Sequence, residues 1–170
     1  MDQVVEMQPR NVADGASSVG VAADSFMALT FDLNGERFAI SVKHVQEVID
    51  PLEMTHVPNA DPFAPGLINV RGAVVPVLNV QYRLGMEASA QTPDTRFVVI
   101  EAGSYDERTT FAIVADSVHE VLEVEPAQIH PAPALGLKWP SAFIHGIIQA
   151  ADGMIIFLDT ETIFQPATAL

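Results

Sequence analysis

The chain contains no cysteine, which removes disulfides, thiolate metal sites and cysteine nucleophiles together. Positive charge is almost as scarce: 8 lysines and arginines face 22 acids, for a formal net charge of −14. That field repels polyanions over a Debye length, which argues against nucleic acid or an anionic lipid surface as partner. No apolar run reaches the ~18 residues of a membrane helix, so direct membrane insertion is not expected. The opening MDQVVEMQPRNVADG lacks the basic start and apolar centre of a secretory signal, and a cytoplasmic location follows as the expectation.

Catalytic signatures are missing too. No GxSxG, GxGxxG or phosphate-binding loop occurs. His119-Glu120-Val121-Leu122-Glu123 begins like a zinc-binding HExxH but has no second histidine. The histidines at 44, 56, 119, 130 and 145 show no local ligand spacing, so neither a metal nor a cofactor is expected. No serine has a histidine that spacing identifies as its base, which leaves open only a triad assembled in space. Asp106/Glu107 and Glu123/Glu125 read as solvated acids, and Asp116 and Asp152 as turn residues. The chain is not expected to be an enzyme.

What is present is β-structure. With 170 residues and 49% hydrophobic content, the chain suffices for one domain or two small ones sharing a core. Residues 1–24 lack sustained periodicity and read as a disordered tail, with 167–170 as a short C-terminal tail around a domain at 25–166. FMALTFDL alternates Met27, Leu29, Phe31 and Leu33 on one face; Asn34-Gly35 suits a type I′ turn, and ERFAI returns as the next strand. Ser41 is placed to cap a short helix over VKHVQEVI. Arg71-Gly72 divides GLINVRGAVVPVLN into two strands, and a helical stretch follows to Gly85. After the polar linker MEASAQTPDT come RFVVIEA and TTFAIVA as a strand pair, then DSVHEVLEV, a proline-rich stretch, a hairpin about Ala151-Asp152-Gly153, and a final helical turn capped by Asp159.

Two segments recur in order. FAISVKHVQEVI (38–49) matches FAIVADSVHEVL (111–122) at an offset of 73, and GLINVRGAVVPVLN (66–79) matches GIIQAADGMIIFLD (146–159) at an offset of 80. A duplicated architecture of many short strands follows. Each half is marginal alone, so the halves should pack as two intimately joined antiparallel β-barrels.

GLINVRGAVVPVLNVQYRLG closely resembles the hallmark segment of the CheW-like coupling proteins of bacterial chemotaxis. FAISVKHVQEVI, FAIVADSVHEVL, Ile129-His130-Pro131-Ala132-Pro133 and IHGIIQAADGMIIFLD fit the same family, over about residues 26–165. The resemblance implies an all-β fold with short helices, made of two intertwined SH3-like five-stranded barrels. It implies a non-catalytic scaffold that couples chemoreceptor tips to the regulatory domain of the chemotaxis histidine kinase CheA, in arrays whose rings include other CheW-like proteins. An adaptor for a non-flagellar pathway (type IV pili, a second messenger or development) is the near alternative. A small ligand-binding or hydrolytic barrel is the distant one.

Carried over by position, the resemblance sets Glu47 and the hallmark Arg71, with Gly72 in the same turn, at a contact surface where the two charges interact. Val45 and Val48 would supply apolar area beside them, with at least one facing the core. Val98 and Val99 match the region used near the receptor, with one of the two expected in the core. The family commonly shows an acid where this chain has Asn79; asparagine can still cap the helix that follows.

Overall fold

The computed structural model describes residues 24–165; the tails expected at 1–24 and 167–170 lie outside this range but for Asp24. Strands β1 (Phe26–Leu33) and β2 (Glu36–Ser41) form the first hairpin. Its turn residues Asn34 and Gly35 have φ of 52° and 81°, the paired positive values of a type I′ turn. Next come β3 (Val45–Ile49), β4 (Thr55–His56), β5 (Gly66–Val70), β6 (Ala73–Leu78) and a helical turn, α1 (Val80–Arg83). The second half repeats the series: β7 (Arg96–Ser104), β8 (Glu107–Ala115), β9 (Ser117–Val124), β10 (Ile129–His130), β11 (Ile144–Ala150), β12 (Gly153–Leu158) and α2 (Thr160–Ile163).

The duplicated halves do not build one sheet each. The sheets run β10-β11-β12-β2-β1-β9 and β3-β7-β8-β6-β5-β4. Each half therefore lends its first hairpin to the other half's sheet. The two junctions are equivalent parallel pairings, Phe157 with Ala39 and Val77 with Ala112. The fold is all-β and two-part as expected, but among the described residues it consists of two open six-stranded sheets rather than closed five-stranded barrels. Curling does the work of closure. Ile49 on β3 packs against the cluster of Ile68, Val70, Val75 and Val77 from β5 and β6, although two strands separate β3 from β6 in the ladder and three separate it from β5. The first sheet curls likewise round Ala28, Ala39, Val124, Ile148 and Phe157. Between the sheets lies the largest cluster, with Phe31, Phe38, Val98, Ile100, Ile113 and Leu158.

Matching details mark the duplication. Asn79 accepts from Tyr82 N–H (3.0 Å) to cap α1, and Asp159 accepts from Thr162 N–H (3.2 Å) to cap α2. A Cβ on Gly66 would lie 2.6 Å from the Thr55 carbonyl oxygen, and one on Gly146 would lie 2.3 Å from Ile129 Cγ2. Only glycine admits so close an approach of the neighbouring strand.

One element differs from expectation. The helix anticipated over 42–49 is a single 3-10 turn, Val42–His44, followed by β3, and Ser41 makes no side-chain cap. Branched Val45, Val48 and Ile49 suit a strand, and β7 offers them a ladder, so tertiary pairing overrides the weak helical spacing. The linker at 86–95 is also less free than its composition suggests. Ser89 donates to Asp116 (3.0 Å), and Gln81 donates to Ser89 (2.7 Å) and to Asn34, tying the linker to α1 and the first turn.

Candidate functional site

Arg71 and Gly72 are the two loop residues between Val70 and Ala73, with φ of 50° and 89°. Both lie in the left-handed region, so this too is a type I′ turn, whose first position favours Asn, Asp or Gly. An arginine there costs on the order of 1–2 kcal/mol of backbone energy. The side chain, not local propensity, accounts for its presence. Asn69 supports the turn by accepting from Gly72 N–H at 2.7 Å.

Arg71 Nη2 donates to Glu47 Oε2 on β3. A bulge makes this contact possible. The ladder between β3 and β7 pairs Val45 with Ile100, then skips to Glu47 with Val99 and Val48 with Val98. The extra residue turns Glu47 to the same side as Ile49, over which the β5–β6 hairpin curls. The guanidinium remains 71% exposed and the carboxylate 27%. At that exposure the pair contributes about 0.2–1 kcal/mol to stability, and its remaining hydrogen-bonding capacity faces outward.

The expected residues thus fall into three groups. Glu47, Arg71 and Gly72 come together. Val45 and Val48 stand on the opposite face of β3 from Glu47, Val45 because the bulge lies between it and Glu47 and Val48 by ordinary alternation: Val45 packs against the central cluster and Val48 is 38% exposed. Val98 and Val99 are both buried, at 0% and 1% exposure, which corrects the expectation that one would face outward. β7 is covered on both faces, Val98 and Ile100 by the central cluster and Phe97 by the cluster of the second sheet, as continuous apolar runs of this kind indicate. The apolar residue that sequence reasoning passed over is Val74, 69% exposed and three positions after Arg71. Its signal was present in the alternation of β6, where Val75 and Val77 take the core positions.

The structure also gathers Ser117, His119 and Asp32. His119 Nε2 lies 2.7 Å from Asp32 Oδ2 and 3.3 Å from Ser117 Oγ. A relay needs serine on one ring nitrogen and the acid on the other; here both use Nε2, so no proton can pass through the ring between them. Arg37 Nε also donates to Asp32 at 2.7 Å. Partial burial alone would raise the Asp32 carboxyl, but the hydrogen bonds from His119 and Arg37 outweigh it and hold it below the ordinary carboxylate range. The cluster staples β9 to the first hairpin. Burial lowers the imidazole of His44, with Lys43 adding to the effect. Among the described residues no group of three His, Asp or Glu side chains is placed to hold a metal ion. No helix there is long and apolar enough to cross a membrane.

A family model described as "CheW-like domain" matches residues 27–167. The chain is 27% identical to the chemotaxis protein CheW of Klebsiella aerogenes over 78% of each chain. It is 29% identical to that of Bacillus subtilis over 79% of this chain and 84% of the relative. Among solved structures, the scaffolding protein TtCheW from Thermoanaerobacter tengcongensis superposes with a TM-score of 0.73 at 27% identity, covering 84% of this chain and 89% of that one.

Proposed function

This chain belongs to the CheW-like family, whose members are non-catalytic scaffold proteins, and on that basis we propose that it couples chemoreceptor tips to the regulatory domain of the chemotaxis histidine kinase CheA. It acts in the cytoplasm, at membrane-associated receptor arrays, and it supplies binding surfaces rather than chemistry. The observation that carries the reading is Arg71: a long cationic side chain held in an unfavourable turn geometry and braced by Glu47 at the mouth of a curled sheet. In a chain of net charge −14, an exposed cation braced by Glu47 and three positions from exposed Val74 favours an acidic and apolar complement on the partner. The pair orients the contact; it adds little to folding.

Calorimetric titration of the full chain against the kinase regulatory domain tests this. Affinity in the micromolar range corresponds to about −8 kcal/mol. Binding by the wild type that disappears in still-folded Arg71→Glu supports the reading. Unimpaired binding by Arg71→Glu refutes the role of this surface, and no binding by a folded wild type refutes the partner.

A further inference from the structure

The two halves differ in one place the shared fold does not require. Between the short strand and the long hairpin, the first half has residues 57–65 and the second the longer stretch 131–143. The longer loop and strands β11 and β12 together line a half-open cavity of about 470 Å³, within the range of roughly 300–1,000 Å³ typical of small-molecule sites. Pro131, Leu137 and Trp139 line it from the loop, and Ile147, Met154 and Ile156 line it from β11 and β12. Trp139 is fixed by an edge-on contact with buried Phe38, centroids 5.5 Å apart.

The mouth of the cavity already holds a cation. Lys138 Nζ donates to Glu36 Oε1 at 2.9 Å and stands 5.8 Å from the centroid of the Trp139 ring, inside the reach of a cation–π interaction. Both Lys138 and Glu36 are solvent-accessible, the lysine side chain at 72%, so the ammonium is exchangeable. Outside that mouth the charge of −14 concentrates cations and repels anions. We infer that the cavity binds a small organic ammonium compound with an apolar or aromatic body. Its ammonium replaces Lys138 Nζ between Glu36 and the indole face, and its hydrocarbon part fills the space against Ile147, Met154 and Ile156.

The chain has a single tryptophan, and it lines the site, so intrinsic emission reports occupancy directly. Full-length protein is titrated with 2-phenylethylammonium, with 2-phenylethanol and 3-phenylpropionate as neutral and anionic counterparts of similar size. A saturable emission change is expected for the ammonium and none of comparable affinity for the other two. Glu36→Gln should weaken ammonium binding about two- to five-fold. Lys138→Ala should tighten it about two-fold or more by removing the internal competitor, the opposite of the result for a lysine that merely shapes the pocket. Both substitutions are at accessible positions, and unchanged melting temperatures verify that the variants are folded. No saturable change with the wild type, equal response to all three probes, or weaker binding by Lys138→Ala overturns the inference. The titration contains no partner protein, so its outcome is independent of the adaptor reading.

Discussion

Arg71→Asn separates what this turn does for folding from what it does for contact. Two effects oppose each other in the folded chain. Losing the guanidinium removes an exposed ion pair with Glu47 worth about 0.2–1 kcal/mol. Asparagine tolerates the φ of 50° that Arg71 must adopt, and recovers part of the roughly 1–2 kcal/mol of left-handed strain. The terms are similar in size, so the net change should lie within about 1 kcal/mol of zero, on either side. For a domain of this length that is about 2–4 °C in melting temperature. Partner binding should nevertheless fall by about ten-fold or more, since an outward-facing charged hydrogen-bond donor is lost. Differential scanning calorimetry beside titration against the kinase regulatory domain measures both quantities on one sample. A fall of more than about 8 °C would show that Arg71 is needed for folding. Retained affinity in a variant as stable as the wild type would sink the contact assignment.

Gly146→Ala should destabilise by about 1–3 kcal/mol, because its methyl group would meet Ile129 and the His130 carbonyl; a chemical denaturation midpoint unchanged from wild type would contradict the packing described. Asp32, held below its ordinary range by His119 and Arg37, gives stability that is complete above about pH 4 and is lost as pH falls through its lowered folded value. Melting of Asp32→Asn should therefore show a shallower acid limb than the wild type, and parallel limbs would count against it. His44 runs the other way from a paired histidine: its depressed folded value favours the neutral ring, so its contribution weakens as pH drops through about 6.5. The difference in melting temperature between wild type and His44→Gln should shift against the wild type from pH 7.5 to 5.5. Asn79→Ala should cost about 0.5–2 kcal/mol through loss of the α1 cap, checked by urea denaturation.

Local chemistry in the sequence carried much of this architecture. Asn34-Gly35 and Arg71-Gly72 turn where their composition indicates, Asn79 and Asp159 cap where their positions suggest, and the offsets of 73 and 80 correspond to equivalent strands. What could not be read was long-range. Nothing local tells β1 and β2 to pair beyond their own half, because hydrophobic alternation fixes a face and not a neighbour. The 42–49 segment is short enough to satisfy helical and strand spacing alike, and β7 decides the matter. The burial of both Val98 and Val99 follows from cores on either side of β7, which a strand-by-strand reading of alternation cannot supply. At the candidate site, residue identity was legible in Glu47 and Arg71. The bulge that aims Glu47, and the strain that singles out Arg71, exist only in three dimensions.

The exchange of hairpins between the halves also sets the order in which the protein can be made. Thr30 hydrogen-bonds to Glu120, 90 residues later in the chain, and β2 waits still longer for β12. At about 5–20 residues per second of synthesis, the first hairpin emerges from the ribosome roughly 5–20 s before its neighbours exist. During that interval its apolar faces and two free edges are exposed to the nascent chain's surroundings. Severing the linker between residues 86 and 95 would leave two fragments, neither holding a complete sheet, that can fold only on each other. A second molecule carries the same hairpins, so the junctions of β2 with β12 and β6 with β8 have the same geometry whether the hairpins come from one chain or are exchanged between two.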